Sequence, residues 1–139
     1  MKRRFPGLHQ ASQPAEVPDG IYLVRVLRAQ YRKYGQKPFY AVQFAVLEPK
    51  PHEGRSVSGR IYCTEKALWK LSWFLRDFGH DTELLGRDEL DERALQKLQG
   101  VVKITHTTVN GASLLNFVGF APAERWEELS TGNPDVEVA

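Results

Sequence analysis

The sequence predicts a mostly β domain interrupted by a helical insertion. Three observations lead there. Several segments alternate apolar and polar residues with a period of two, as strands do. One stretch between the third and fourth of them switches to helical spacing. Turn chemistry separates the segments, at Pro18-Asp19-Gly20, at Gly35 and at Asn110-Gly111.

Residues 1–18 hold three prolines and no periodicity and read as a flexible arm. "IYLVRVLRAQ" at 21–30 is a first strand, rich in β-branched residues, and Gly35 marks the turn after it. "KPFYAVQFAVLE" at 37–48 is the clearest strand. Its even positions (Tyr40, Val42, Phe44, Val46) should point inward. Its odd positions (Phe39, Ala41, Gln43, Ala45) should face solvent. "RSVSGRIYCT" at 55–64 is a third strand, with Val57, Ile61 and Cys63 inward and Ser58, Arg60 and Tyr62 outward.

The spacing then predicts a helix over 64–79. Thr64 is its N-cap, Gly79 its stop, and Leu68, Leu71, Leu75 and Phe78 form its apolar stripe. A shorter helix is expected from Asp88 to Gln99, acid-loaded at its start and ended by Gly100. "VVKITHTTV" at 101–109 and "LLNFVGF" at 114–120 are a hairpin joined through Asn-Gly. Residues 122–139 read as an acidic tail, disordered apart from one helical turn in "ERWEEL".

The order β-β-β-α-β-β over residues 19–121 is that of the five-stranded OB-fold barrel. Its helix lies between the third and fourth strands. Its ligand face is strands 2 and 3, flanked by the 1–2 and 4–5 loops. A different β sandwich or an open α+β sheet is the alternative.

Composition narrows the function. No apolar run approaches the ~20 residues of a membrane span, and the basic start "MKRRF" is followed by no apolar signal region. Cys63 is the only cysteine, which excludes an internal disulfide and a multi-cysteine zinc site. A cytoplasmic protein with no membrane partner is expected. Net charge is only +2, but residues 20–60 carry eight bases against two acids, while 121–139 carry −4. Such asymmetry suits a polyanion-binding face, although an uneven solvated surface would look the same.

The stretch "AQYRKYGQKPFY" at 29–40 holds three tyrosines, a phenylalanine, three bases and no acid. On an OB barrel it becomes the first hairpin loop and the start of strand 2. Arg28, Arg32, Lys33, Lys37, Arg60 and Lys103 are then candidate phosphate contacts. Tyr31, Tyr34, Phe39 and Tyr62 are candidate platforms for unpaired bases. The competing explanation is ordinary: aromatic residues pack strands, and bases on an edge hairpin oppose aggregation. Trp69 and Trp73, four apart on the first helix, either widen its buried face or form a partner-binding or stacking face. His9, His52, His80 and His106 have no metal-ligand spacing. Cys63 reads as a small inward hydrophobe, and His106 as an ordinary strand residue. No catalytic residue, metal or cofactor is expected.

The segments "VPDGIYLVRVLRAQ", "FYAVQFAVLEP", "EGRSVSGRIYCTEKALWKLSWFLRDFG" and "LQGVVKITHTTVNGASLLNFVGF" also carry a resemblance. In order and spacing, over about residues 17–120, the chain resembles small OB-type single-stranded DNA-binding proteins of bacteriophages and bacterial mobile elements. The resemblance implies a non-enzymatic protein that coats single-stranded DNA in replication or recombination, alongside other proteins of those processes. One departure concerns the tail. Its acids (Glu124, Glu127, Glu128, Asp135, Glu137) lack the terminal aromatic that many such proteins use to dock partners, leaving only Val136 and Val138. An acidic tail that folds over the basic face is the other reading. Two alternatives stand beside DNA binding: an RNA-binding OB domain, and a protein-interaction module using Trp69 and Trp73. Homo-oligomerisation is left open.

Overall fold

The computed structural model describes residues 1–6, 8 and 17–131. Most of the expected arm, with His9, and the tail residues Asp135, Val136, Glu137 and Val138 lie outside them.

Five antiparallel strands form one sheet in the order β3-β2-β1-β4-β5. They are β1 (Gly20–Tyr34), β2 (Lys37–Glu48), β3 (Ser56–Tyr62), β4 (Gln99–Val109) and β5 (Ala112–Pro122). The helices α1 (Leu68–Asp77) and α2 (Thr82–Gly86) lie between β3 and β4, and α3 (Trp126–Thr131) follows β5. No ladder joins β3 to β5, so in hydrogen-bonding terms the sheet has two edges. These edges nevertheless meet through side chains. A Cβ placed on Gly59 of β3 would lie 2.7 Å from the Phe117 ring of β5 and 3.3 Å from Leu115. Only a residue without a side chain allows that approach.

The hairpins differ from expectation in length. β1 runs on to Tyr34, and Tyr34 pairs with Lys37. The expected basic loop is therefore a two-stranded ribbon closed by Gly35 and Gln36, with Gly35 at φ +61. β4 and β5 are likewise closed by Asn110 and Gly111 at φ +52 and +80, the two left-handed positions of a type I′ turn.

The inner face of the sheet and α1 enclose an aromatic core. Phe44 meets Phe117 at 5.2 Å and Phe78 at 5.6 Å between centroids, and Phe74 meets Phe120 at 5.4 Å. The helix presents Leu71, Phe74, Leu75 and Phe78 to it. Leu68, assigned to that stripe from spacing, is 47% exposed. The chain enters α1 through a 3-10 turn at Glu65–Ala67, which rotates Leu68 off the buried face, and Thr64 makes no side-chain cap. Gly79 ends the helix at φ +89, as expected.

The expected helix over 88–99 is absent. Asp88 sits at φ +60 and caps nothing. Asp81 caps α2 by accepting from the Glu83 amide, and Asp91 caps a 3-10 turn (Glu92–Leu95) by accepting from the Arg93 amide. The buried His80 ties these turns together. Its Nε2 accepts from the Asp91 amide at 3.1 Å, so Nδ1 carries the proton and donates to the Asp81 carbonyl at 3.3 Å.

The fold also extends past residue 121. Trp126 is buried with Val101 and Ala121, and Ile21, Leu23 and Leu129 pack around them. The polar sequence around Trp126 hides this second small core, in which the indole is the largest side chain.

Candidate nucleic-acid interface

Strand register decides which candidate residues share a face. Val26 pairs with Phe44, but Arg28 pairs with Gln43, so Leu27 is an extra residue in β1. Such a bulge reverses the alternation beyond it. Residues directly opposite in an antiparallel ladder project to the same side. Arg28 thus lies beside Gln43 and Ser58, Gln30 beside Ala41 and Arg60, and Arg32 beside Phe39 and Tyr62. Together with Tyr34 and Lys37 these form one outer face.

Tyr31 and Lys33 project to the opposite side. Tyr31 packs edge-on against the inward Tyr40, with ring centroids 5.6 Å apart, while remaining 48% exposed. Of the candidate contacts, Tyr31 and Lys33 therefore do not share the outer face with Arg32, Tyr34, Lys37 and Phe39.

Phe39 needs a second correction. It is on the outer face, as expected, yet only 5% exposed. The cover comes from β3. The Arg60 guanidinium carbon lies 4.4 Å from the Phe39 ring centroid, and Tyr62 packs against the same ring at 5.6 Å. Arg60 also reaches to 5.7 Å from the Tyr34 ring and donates to the Tyr62 hydroxyl at 3.3 Å. Tyr34 is 71% exposed at the tip of the ribbon. The face is thus a layered cation–π stack with one free ring at its end.

Among the described residues, Arg28, Arg32, Lys37 and Arg60 form no ion pair with a carboxylate. Arg32 is steadied by donating to the Gln30 side-chain oxygen at 2.6 Å. Lys103 stands apart. It pairs with Ile21 and Gly119 and lines a small cavity of about 190 Å³ beside Arg125 and Leu129, so it does not join Arg60 and Tyr62.

A groove of about 640 Å³ continues from Arg60 and Tyr62 between β3, β5 and the start of α1. Lys66, Trp69 and Lys70 line its helical side, and Leu114 and Asn116 the side of β5. Sequence reasoning did not place Lys66 or Lys70 in a site. The available signal was local: in "EKALWK" the two lysines are four apart and flank Trp69, one helical turn on one side. Of the two tryptophans, Trp73 is half-buried against Phe120 at 5.7 Å and donates to Asp77 at 2.8 Å. It widens the buried face. Trp69 is 61% exposed and stacks on Trp73, at 6.2 Å and 25°.

Burial pushes the half-buried Cys63 thiol above its usual range, against a smaller opposing effect of its backbone hydrogen bond. His106 Nδ1 lies 2.6 Å from Asp19 Oδ1, and His52 packs edge-on against Tyr22. Among the described residues no three His, Cys, Asp or Glu side chains gather as metal ligands. None of the helices there is long and apolar enough to cross a membrane.

No protein-family model matches the chain, and no curated protein matches it.

Proposed function

We propose that the chain is a non-enzymatic, cytoplasmic single-stranded DNA-binding protein of the OB type, with little sequence preference. In this reading the outer face of β1, β2 and β3 is its ligand surface. The OB reading is supported by the strand order β3-β2-β1-β4-β5, the helix between β3 and β4, and the contact of Gly59 with Phe117 where a barrel would close. The ligand reading rests on one observation above all: Arg60 lies over Phe39 and reaches Tyr34, with no carboxylate partner among the described residues.

Single-stranded DNA asks for that combination. Cations neutralise phosphates, and exposed rings accept unstacked bases, whichever base is present. Few amides reach the face, so hydrogen-bond reading of sequence has little to work with. A role in phage or mobile-element replication or recombination follows from the resemblance in sequence pattern.

Fluorescence anisotropy of a labelled dT oligonucleotide, the matching duplex and the corresponding RNA, each at two salt concentrations, tests this. The dT strand should bind more tightly than the duplex, and its affinity should fall steeply with salt. Equal affinity for duplex, or none for dT at low salt, would overturn the proposal. Preference for RNA would make this an RNA-binding domain instead.

A further inference from the structure

The groove between β3, β5 and α1 is not part of the strand 2–3 face, yet it opens directly from it, because Arg60 and Tyr62 border both. Three properties suit it to a nucleic-acid strand. No acidic side chain among the described residues lines it, while Arg60, Lys66 and Lys70 do. Trp69 offers an exposed indole at its wall. That indole is also braced from behind. It stacks on Trp73, which is itself held by Asp77 and Phe120, so a base arriving on Trp69 meets a ring already held in place.

Lys70 fixes the geometry. Its Nζ donates to the Phe117 carbonyl of β5 at 3.0 Å, joining helix to strand, and lies 5.7 Å from the Trp69 ring centroid. An ammonium has three N–H donors, so two remain after that bond. Lys66, exposed one turn earlier, has all three.

We infer that a single strand crossing the β1–β2–β3 face continues past Arg60 and Tyr62 into this groove. There Trp69 stacks one of its bases, and Lys66 and Lys70 contact its phosphates. The inference rests on the proposed single-stranded DNA reading and adds to it a second stacking station, on the helix rather than the sheet.

Two stations at opposite ends can be tested separately. With a dT oligonucleotide of about 16 nucleotides, Trp69→Ala and Lys66→Glu should each weaken binding, Trp69→Ala by about tenfold. Tyr34→Ala should do the same from the ribbon end, and the Tyr34/Trp69 double variant should lose about the product of the two effects. Trp69→Phe keeps a ring and should restore most of the affinity. It should also abolish most of the tryptophan quenching expected on binding, since Trp126 is buried and Trp73 half-buried while Trp69 is exposed. Exposed Trp69 can be replaced with little effect on the melting temperature, which serves as the folding control.

If Tyr34→Ala weakens binding while Trp69→Ala and Lys66→Glu bind like the parent, the groove is not on the DNA path and the inference fails, with the DNA reading intact. If the parent protein does not bind the oligonucleotide at low salt, the DNA reading fails and takes the inference with it.

Discussion

The Arg60 guanidinium lies 4.4 Å from the centre of the Phe39 ring, and this pair organises the outer face. The arginine covers the ring, leaves its own charge unpaired among the described residues, and reaches toward Tyr34. A flat guanidinium both stacks and binds phosphate, whereas an ammonium does only the second well. Arg60→Lys should therefore lower affinity for single-stranded DNA but keep its salt dependence. Arg60→Ala should in addition reduce the slope of log affinity against log salt by about one. Affinities measured across a salt series distinguish these. An Ala variant with the parent slope would show that Arg60 contacts no phosphate.

Tyr34 and Tyr31 are three residues apart on one strand but face opposite ways. Tyr34→Ala should weaken binding by about 1–3 kcal/mol, the range for loss of one stacked base. Tyr31→Ala should leave affinity near that of the parent, since Tyr31 sits against Tyr40 on the other side. Equal losses would mean that the ribbon is gripped from both sides.

Gly59 lets the two sheet edges meet. Any Cβ there would stand 2.7–2.8 Å from Phe117 ring atoms, in a core that has no slack. Gly59→Val should cost about 1–3 kcal/mol of stability, as overpacking does. Chemical denaturation measures this, and an unchanged midpoint would show that β3 and β5 are not pressed together in solution.

Tyr40 gives the fold a signature in alkali. Burial, and then its hydrogen bond to Glu92, raise its hydroxyl well above the ordinary value of 10.0. The unfolded chain therefore ionises first. The contribution to stability is complete below pH 10 and is lost as pH rises above it toward the folded value. Tyr40→Phe should be less stable at pH 7 by about 1 kcal/mol for the lost hydrogen bond. It should also lose stability less steeply above pH 10 than the parent does. Parallel curves would indicate that Tyr40 is not inward.

Much of this arrangement is legible in the sequence because strands and turns leave local marks. The alternation of Tyr40, Val42, Phe44 and Val46 places β2, and Asn110-Gly111 places the last hairpin. What escapes depends on contacts between distant residues. The extra residue Leu27 reverses the alternation of β1, and nothing in "VRVLRAQ" announces it, so Tyr31 and Lys33 fall on the Tyr40 side and Arg32 and Tyr34 on the outer face. Phe39 is outward by alternation but is covered from β3, twenty-one residues on. The acids before Gly100 imitate a helix start, while two short turns capped by Asp81 and Asp91 occupy that region instead. Trp126 lies among charged neighbours and looks like a tail residue until its contacts with Val101 and Ala121 are seen. The groove is the extreme case, since Lys66, Trp69 and Lys70 meet Asn116 only through tertiary packing.

The claim that the outer face of β1, β2 and β3 binds single-stranded DNA is tested most directly by reversing its charge. The measurement is the affinity of Lys37→Glu/Arg60→Glu for a dT oligonucleotide at low salt, compared with the parent protein and with Lys33→Glu on the opposite side. The double variant should lose most of its binding, with a salt slope smaller by about two. Lys33→Glu should lose far less. A double variant that binds like the parent would contradict the account.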